Sequence, residues 1–584
     1  MNKKFYTDER NVQIVISLLK QHGIHRVIAS PGTTNMTFVG SIQNDPWFQL
    51  WSSVDERSAA YIACGMAEET GEPVVLSCTG ATASRNYMSG LTEAYYRKLP
   101  VLAITSHRGI ANIGHLLDQQ IDRRNIPNDI ATESVTLPLV RCQEDEKYCT
   151  IEANKAILAL SHRGGGPAHI NLVTGYSKDF SVKEIPFVRV IRRYTAHDEF
   201  PPLGSNGHIA IFIGAHRQFT TQEQQSIDTF CEKYNAIVIY DRTSGYSGKY
   251  GINYALIGSQ IFMQKTSNNI DLLIHIGEVT GNSFGKSLSI KRVWRVNEDG
   301  ALRDSWGKLE KVFEMPEIVF FNHYSSLLST VNFSYFEQCK QEYLKIQNNI
   351  QDIPFSNVWI ALNLHSKLPK GSEIHFGIFN SLRSWDFINL DNSIKSNCNV
   401  GGFGIDGGIS SLIGASFSNP GRIYFGVFGD LAFFYDMNVL GNRHVGNNVR
   451  LLLINNGKGN EFRLSMHPCN IFGNEADKYM AAAGHYGNKS PNLVRHYAED
   501  LGYEYLTASN KETFSESIVK FVDPEIHHSM IFEVFTEMDD ERDALDMIMN
   551  TVVDKKKEIV TTIKSTLSSS GILDVIDTIR NLKK

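Results

Sequence analysis

The sequence predicts an α/β protein with several parallel-sheet domains, and three observations support this. The chain has 584 residues, which at roughly 100–200 residues per domain suggests three or four domains. Short apolar runs, typical of buried strands, alternate with helical patterns in three successive blocks. The composition, 42% hydrophobic and 21% charged, is that of a globular protein. It excludes a mostly disordered chain, a collagen-like repeat and a small disulfide scaffold.

The first block contains helices and strands in alternation. Apolar residues at helical spacing predict a helix that ends near Gly23 and a second helix over 58–69. Because the strands between such helices form βαβ units, the sheet is expected to be parallel. Residues 178–202 contain three prolines and are predicted to be a linker. The predicted strands of this block cover residues 25–30, 73–77, 100–105 and 168–173.

The second and third blocks repeat the same alternation. The second has a predicted helix over 221–234 and strands over 208–214, 236–240, 272–277 and 293–297. The third has predicted strands over 373–376, 422–428, 450–455 and 530–535. We therefore expect α/β domains over residues 1–185, 200–340 and 355–540, followed by a C-terminal helical extension over 541–584.

Charge and cysteine usage limit the partners and the compartment. The net charge of −6 argues against a dedicated nucleic-acid binder, which usually shows a basic excess. None of the eight cysteines forms a C-x-x-C pair, so reduced thiols are expected. No apolar stretch follows the N-terminal lysines, and no apolar run is long enough to span a membrane. We expect a cytoplasmic protein that binds neither nucleic acid nor membrane.

Polar residues follow two successive strands of the third block. Gly429, Asp430 and Leu431 come directly after an apolar strand, and Asn456 follows the next strand 26 residues after Asp430. This separation fits one strand–helix–strand crossover, so both polar ends are expected at the carboxyl edge of a parallel sheet, where ligands bind. Oxygen ligands of this kind suit Mg²⁺, and the following helix N-terminus favours a diphosphate.

Glu56 is the third chemically informative residue. It stands in VDERSAA after a strand-like FQLWSSV. Taken alone, a glutamate there is explained by the helix dipole, which favours an acid in the first turn. A functional role for Glu56 depends on the sequence around it.

These segments resemble the thiamine-diphosphate (ThDP) enzymes of the acetolactate synthase and pyruvate decarboxylase superfamily, and most closely its MenD-like group, named for SEPHCHC synthase. The resemblance spans about residues 10–540. GDL with DMN after it, in place of the commoner GDG, is typical of the MenD group. The motifs that carry the resemblance are SPGTTN (30–35), VDERSAAYIACGMAEETGEPVVLSCTGATASRNY (54–87), GPAHINL (166–172), GGFGIDGGISSLIGA (401–415) and GDLAFFYDMNVL with LLLINNGKG (429–459).

The resemblance implies three doubly wound domains: pyrimidine-binding, central and diphosphate-binding. It implies a homodimer or homotetramer with cofactor sites between subunits. It assigns Glu56 to the cofactor aminopyrimidine as the catalytic residue, and Ile405 to the support of the bent cofactor. The implied metal ligands are Asp430, Asn456 and the Lys458 carbonyl, which hold Mg²⁺. The implied cofactor-binding residues are Glu56, Gly404, Ile405, Gly429, Asp430, Leu431, Ala432 and Asn456.

The substrate residues of the MenD group match only in part. Three arginines that hold substrate carboxylates in that group are replaced here, by Thr34, Ser287 and Val400. Each lost charge-assisted contact costs about 1.5–3 kcal/mol, which argues against isochorismate and 2-oxoglutarate as substrates. The residues that do match the group's substrate site are Thr33, Arg108, Gln119, Lys286 and Arg383.

Four functions remain open at this point. The preferred one is a carboligase that decarboxylates a pyruvate-like 2-oxo acid and transfers the acyl anion to a carbonyl or activated acceptor, a keto-sugar among them. The others are a simple 2-oxo acid decarboxylase, SEPHCHC synthase itself, and a ThDP-binding protein without turnover. Arg108 and Arg383 could instead form structural ion pairs, and His107 and His115 are acid/base candidates or hydrogen-bonded loop histidines.

Overall fold

The computed structural model describes residues 4–204, 207–281, 285, 287–327, 334–465, 467–485 and 490–554. The chain divides into two compact units. Unit one comprises the residues up to 199 together with 299–314, and unit two comprises 200–298 and the residues from 315 onward.

Unit one contains a six-stranded sheet in the order β2–β1–β3–β4–β6–β5. All its strand pairs are parallel. The two central strands, β3 and β4, are almost entirely buried, as expected for a sheet covered by helices on both faces. The strands are β1 (Arg26–Ala29), β2 (Gln49–Ser52), β3 (Val74–Thr79), β4 (Val101–His107), β5 (Glu133–Leu137) and β6 (Ala168–Val173).

Two separate apolar clusters hold the helices of unit one. One cluster includes the buried apolar residues of α1, and the other includes the alanines of α3. Helix α3 begins after Asp55, whose carboxylate accepts hydrogen bonds from the backbone of Arg57 and Ser58 and so caps the helix. The helices are α1 (Arg10–Gln21), α2 (Met36–Ile42), α3 (Glu56–Thr70), α4 (Thr82–Asn86), α5 (Met88–Arg97) and α6 (Gln143–Ala159).

In unit two, five parallel strands lie side by side in the order β10–β9–β8–β11–β12. They are β8 (Ile209–Ile213), β9 (Ile237–Ile239), β10 (Gly251–Ile252), β11 (Asn269–Ile276) and β12 (Ser289–Asn297). Two further strands, β7 (Arg192–Thr195) and β13 (Leu309–Glu314), pair in parallel within unit one. The accompanying helices of unit two are α7 (Thr221–Tyr234), α8 (Tyr254–Ser259), α9 (Glu317–Ser325) and α10 (Ser334–Gln347).

The last sheet of unit two has the order β15–β14–β16–β17–β19–β18 and is parallel throughout. Its strands are β14 (Glu373–Phe376), β15 (Lys395–Cys398), β16 (Tyr424–Gly429), β17 (Val449–Asn455), β18 (Glu504–Ala508) and β19 (Met530–Phe535). Its helices are α11 (Asn357–Leu364), α12 (Asn380–Asp386), α13 (Gly408–Ser418), α14 (Asp430–Asp436), α15 (Ala476–Tyr479), α16 (Leu493–Asp500), α17 (Lys511–Phe521) and α18 (Met538–Met549).

The register of two strands positions the chemistry. Strand β16 pairs with β17 so that Gly429 lies opposite Ile454. The next residues along each strand, Asp430 and Asn455–Asn456, therefore leave the sheet at the same carboxyl edge. This is the arrangement that the spacing of the two polar ends predicts.

The predicted fold class, α/β with three parallel-strand regions, is confirmed. The predicted linker over 178–202 is wrong in part, since it contains β7, a short strand whose exposed charged residues give no apolar signal. The boundaries of the three predicted domains stay a prediction. Of the predicted C-terminal extension, α18 is present, and residues 555–584 lie outside the described residues.

Two further findings concern the chain as a whole. Within the described ranges, no helix combines the length and the apolar character that crossing a membrane requires. All eight cysteines are free, as expected.

Candidate active site

A cavity of about 220 Å³ opens at the carboxyl edge of the last sheet. It brings together most of the residues that the sequence assigns to the cofactor and metal: Ile405, Gly429, Asp430, Leu431, Ala432, Asn456 and Lys458. They come from the end of β16, the start of α14, the loop after β17 and the segment before α13. Convergence of several loops at a carboxyl edge is typical of ligand sites in open α/β sheets.

Asp430 is the most buried charged group of this cavity. It is 5% exposed and begins α14 directly after β16, where its Oδ1 accepts the Leu431 N–H at 2.8 Å. Burial raises the pKa of its carboxyl to about 7, because desolvation disfavours the charged form. A divalent cation supplies the opposite charge that favours the carboxylate form in such a place.

The loop after β17 provides the other predicted metal ligands. Gly457 has a φ of +78°, which makes the sharp turn after the strand possible. Asn456 Oδ1 accepts the Lys458 N–H at 3.4 Å, and the Lys458 ammonium pairs with Asp477 at 2.7 Å. The described residues contain no group of three or more His, Cys, Asp and Glu side chains suited to a metal. A cation here would rest on one carboxylate, an amide and a carbonyl, as Mg²⁺ bound with phosphate does.

Three asparagines line the same cavity and were missed by the sequence argument. Asn357, Asn380 and Asn460 each have a buried side-chain oxygen with no hydrogen-bond partner among the described residues, and the Asn460 amide nitrogen also lacks one. Buried polar atoms are normally paired, so this cavity suits a polar ligand. Asn380 lies four residues beyond the buried strand β14 at the same sheet edge, which is the signal that could have found it.

The segment before α13 places one apolar side chain in the cavity. Ile405 lines it and packs against the apolar cluster of the last sheet. Gly407 has a φ of +74° and precedes α13, a conformation that favours glycine. The predicted cofactor residue Gly404 is exposed and is not among the residues that line the cavity.

Arg383 is held by an acid that the sequence argument did not consider. Its Nη1 and Nη2 donate to the two carboxylate oxygens of Glu461 at 2.7 and 2.8 Å. Both side chains are largely buried, and Glu461 lines the cavity. The Arg383 guanidinium, which was predicted to bind a substrate carboxylate, therefore pairs with a carboxylate of the protein itself.

Two positions of unit two where the MenD-like group has arginines are uncharged in this chain. Val400 is 3% exposed, and Ser287 is exposed. Lys286 lies outside the described residues. The structure therefore gives no test of its predicted role.

Glu56 is the first residue of α3 in unit one. It is partly exposed, and its Oε2 accepts a hydrogen bond from Asn86 Nδ2 at 3.0 Å. Asn86 belongs to α4, so two helices fix the direction of the carboxylate. The other oxygen of the Glu56 carboxylate, Oε1, can accept a hydrogen bond from a further donor.

The substrate residues predicted in unit one lie on two loops. Thr33 is exposed, whereas Thr34 is buried and donates to the Ser106 carbonyl at 2.8 Å. Arg108 binds the carbonyl of Asp118 through Nη2 and lies 3.3 Å from its Oδ1. Gln119 is exposed, with a φ of +56°.

The two loop histidines differ in their surroundings. His107 Nδ1 accepts the Gly109 N–H at 3.1 Å. Burial, helped by the Arg123 charge, lowers the pKa of His107 to about 4, so its ring is neutral at pH 7. His115 is exposed.

Comparisons with known proteins identify proteins to which this chain is similar. Residues 10–126 match the family described as "Thiamine pyrophosphate enzyme, N-terminal TPP binding domain". A 2-succinyl-5-enolpyruvyl-6-hydroxy-3-cyclohexene-1-carboxylate synthase of Bacteroides fragilis is 28% identical over 548 residues, which cover 91% of this chain and 97% of that protein. The synthase of the same name from Bacteroides thetaiotaomicron is 29% identical over 553 residues, covering 91% and 96%.

A structural comparison gives one further neighbour. It is the Rhodococcus jostii RHA1 thiamine diphosphate-dependent 4-hydroxybenzoylformate decarboxylase, with a TM-score of 0.40 and 15% identity, covering 91% of this chain and 100% of that one. The sequence comparisons confirm the predicted resemblance to ThDP enzymes of the MenD-like group, ThDP as the cofactor, and the class of ThDP-dependent enzyme.

The cavity predicts separate effects for two buried aspartates of α14. Asp430→Asn should weaken ThDP binding in the presence of Mg²⁺ by at least about tenfold, since it removes a charge-assisted contact. It should leave the thermal midpoint of the cofactor-free protein unchanged or higher, because burial disfavours the charged carboxylate. Titration calorimetry and thermal unfolding measure the two effects.

Asp436→Asn is the matched control. Asp436 lies on the same helix and accepts hydrogen bonds from the Ser410 N–H and hydroxyl, both at 2.6 Å, without lining the cavity. Its loss should lower the thermal midpoint and leave ThDP affinity within about threefold. Equal cofactor affinity in Asp430→Asn and wild type would contradict the assignment of this cavity.

Proposed function

We propose that this chain is a ThDP- and Mg²⁺-dependent carboligase. It decarboxylates a small 2-oxo acid of the pyruvate type and transfers the acyl unit to a carbonyl or activated acceptor, with keto-sugars as one acceptor class. The observation that carries the proposal is the cavity that gathers Ile405, Asp430, Asn456 and Lys458 at one sheet edge.

The residues of the cavity suit the cofactor. Asp430, the Asn456 side chain and the Lys458 carbonyl would hold Mg²⁺, while the unpaired amide oxygen of Asn380 and the unpaired amide group of Asn460 would bind a polar group of the ligand. ThDP, when bound, supplies the electron sink that lets a 2-oxo acid lose CO₂. The Glu56 carboxylate would form a hydrogen bond with the aminopyrimidine. Asn86 Nδ2, which donates to Glu56 Oε2 at 3.0 Å, would orient that carboxylate.

The charges around the cavity support a small donor. Lys458 lines the cavity and pairs with Asp477. Arg383 pairs with Glu461, which also lines the cavity. Val400 adds no charge at a position where the MenD-like group has an arginine. A substrate with several carboxylates needs several guanidinium contacts, so a donor with one carboxylate fits these surroundings better.

Subunit assembly and domain roles follow the same proposal. Three domains, over 1–185, 200–340 and 355–540, would act as pyrimidine-binding, central and diphosphate-binding domains. The chain would act as a homodimer or homotetramer whose active sites form between subunits, and it would work in the cytoplasm.

Two alternatives differ in their products. A simple 2-oxo acid decarboxylase would release an aldehyde without any acceptor. SEPHCHC synthase activity is favoured by the names of the relatives at 28–29% identity, and it would require 2-oxoglutarate and isochorismate.

Release of CO₂ from purified protein with Mg²⁺ and ThDP separates these functions. We expect release from pyruvate or a similar acid that rises when a carbonyl acceptor is supplied. Release independent of acceptor would establish the decarboxylase. Release from 2-oxoglutarate only, with isochorismate consumed, would establish SEPHCHC synthase. No release from any acid, with ThDP binding confirmed by calorimetry, would contradict the enzymatic proposal.

Glu56→Gln tests the catalytic carboxylate. The substitution keeps the size of the side chain and removes its charge, so ThDP affinity should stay within about threefold while kcat falls by at least about 100-fold, as for loss of acid–base catalysis. Glu69→Gln, at an exposed position on the same helix α3, should leave both quantities unchanged. Full activity of Glu56→Gln would show that another residue does this work.

Glu461→Gln tests the charge balance of the cavity. Removing the carboxylate frees the Arg383 guanidinium from its partner. The kcat/KM ratio of 2-oxoglutarate to pyruvate should therefore rise by about tenfold, the effect of one charge-assisted contact. Steady-state assays with both acids measure it. An unchanged ratio would mean that Arg383 and Glu461 take no part in donor selection.

A further inference from the structure

A small cavity of about 20 Å³ lies in unit one, apart from the residues assigned so far. Its wall includes Arg85, Tyr87, Thr105, Arg123, Ile126 and His169. This volume is close to that of a single water-sized occupant. Two arginines therefore line a space with room for one small group.

Arg123 is buried beside this space, and only part of its guanidinium group is hydrogen-bonded. It is 6% exposed, and its Nη1 donates to Thr105 Oγ1 at 2.8 Å. Its Nη2 has no hydrogen-bond partner in the described part of the chain. Burying a charged guanidinium is strongly unfavourable unless an opposite charge pairs with it.

The groups around Arg123 do not supply that opposite charge. Burial, together with the Arg123 charge, lowers the pKa of His169 to about 3, so the imidazole is neutral. Burial raises the pKa of the Cys78 thiol to about 12, so that group is neutral too. Burial also lowers the pKa of Arg123 to about 10, and the Arg85 charge adds to this effect. At pH 7 the guanidinium is still charged.

The nearest acid to Arg85 already has a partner. Asp122 offers its backbone carbonyl to Arg85 Nη2 at 2.9 Å. Its carboxylate oxygens accept from Arg124 Nε and Nη2 at 3.0 and 2.6 Å. The Glu56 charge contributes to the raised pKa of Tyr87 and of Cys78, whereas the charges that affect the pKa of Arg123 are those of Cys78 and Arg85. The cavity therefore combines positive charge, an unused donor and room for one small group.

We propose that this cavity binds one small monovalent anionic group, no larger than a chloride ion or a single carboxylate end, with Arg123 Nη2 as its principal donor. A bound anion supplies both the counter-charge and the missing hydrogen-bond acceptor. The inference goes beyond the proposed carboligase and does not depend on it, because anion binding is measurable in a chain that releases no CO₂.

Thermal unfolding in three sodium salts at equal ionic strength tests the proposal. Chloride represents a free ion, pyruvate presents a carboxylate end, and methanesulfonate presents a bulkier sulfonate group. The wild-type thermal midpoint should rise saturably by about 2 °C in chloride or in pyruvate relative to methanesulfonate, as binding to the native state stabilises it. A rise in chloride that Arg123→Gln abolishes identifies a free ion, and a rise in pyruvate alone that Arg123→Gln abolishes identifies a carboxylate at this cavity.

Arg124→Gln is the matched control for Arg123→Gln. Arg124 is the next residue, is exposed and pairs with Asp122. Arg124→Gln should keep the anion-dependent rise, and Arg123→Gln should abolish it. In methanesulfonate, Arg123→Gln should be at least as stable as wild type, since an unpaired buried charge has been removed.

Three results would overturn the proposal. They are no anion-dependent rise in wild type, an unchanged rise in Arg123→Gln, and an equal loss of stability by Arg123→Gln in all three salts, which indicates a structural arginine. If Arg123→Gln does not fold, Arg123→Lys and a bromide-soaked wild-type crystal decide. The lysine variant should show a weakened rise, and the anomalous bromide peak should lie beside Arg123 Nη2. A peak elsewhere would contradict the site.

Discussion

The parallel pairing of β16 with β17 is the constraint on which the candidate active site depends. With Gly429 opposite Ile454, the chain leaves both strands at one sheet edge, and a carboxylate and an amide arrive at the same cavity. A slip of one residue would turn each side chain to the opposite face of the sheet. The largely buried strands on both sides of this pair oppose such a slip.

Most of the buried structure could be predicted from the sequence. The limits of β6, β14, β19 and α7 agree with the predicted ones. The three strands are almost entirely buried, and a capping box marks the start of α7. The polar edge strands were harder. Strands β5, β15 and β18 have no predicted counterpart, since their partly exposed and charged residues lack a clear period. Their positions are set by pairing with buried neighbours rather than by local sequence.

The residues of the candidate site were likewise predicted only in part. The spacing of the strand ends predicted Asp430 and Asn456, and the family resemblance implied Ile405. The spacing could not reveal that Arg383 is matched by Glu461, 78 residues away, or that Asn357, Asn380 and Asn460 keep unpaired atoms in the cavity. Such facts depend on which loops meet. The same holds for Arg123, whose lack of a counter-charge is visible only once its neighbours are known.

Burial acts on a charged group in the cavity of the last sheet and also in the cavity beside Arg123. In the first, burial raises the pKa of the Asp430 carboxyl, and a bound cation would favour its charged form. In the second, burial around Arg123 leaves a positive group that favours an anion. In both, low exposure increases the effect of an unmatched charge. The exposed ion pairs, such as Arg124 with Asp122, contribute little by comparison.

A crystal structure of the protein with ThDP and Mg²⁺ tests the central claim most directly. We expect the diphosphate in the cavity of the last sheet and the cation on Asp430, Asn456 Oδ1 and the Lys458 carbonyl at about 2.1 Å, the usual Mg²⁺ distance. Ile405 should contact the cofactor. A cofactor bound elsewhere, or a cation without Asp430 among its ligands, would contradict the account.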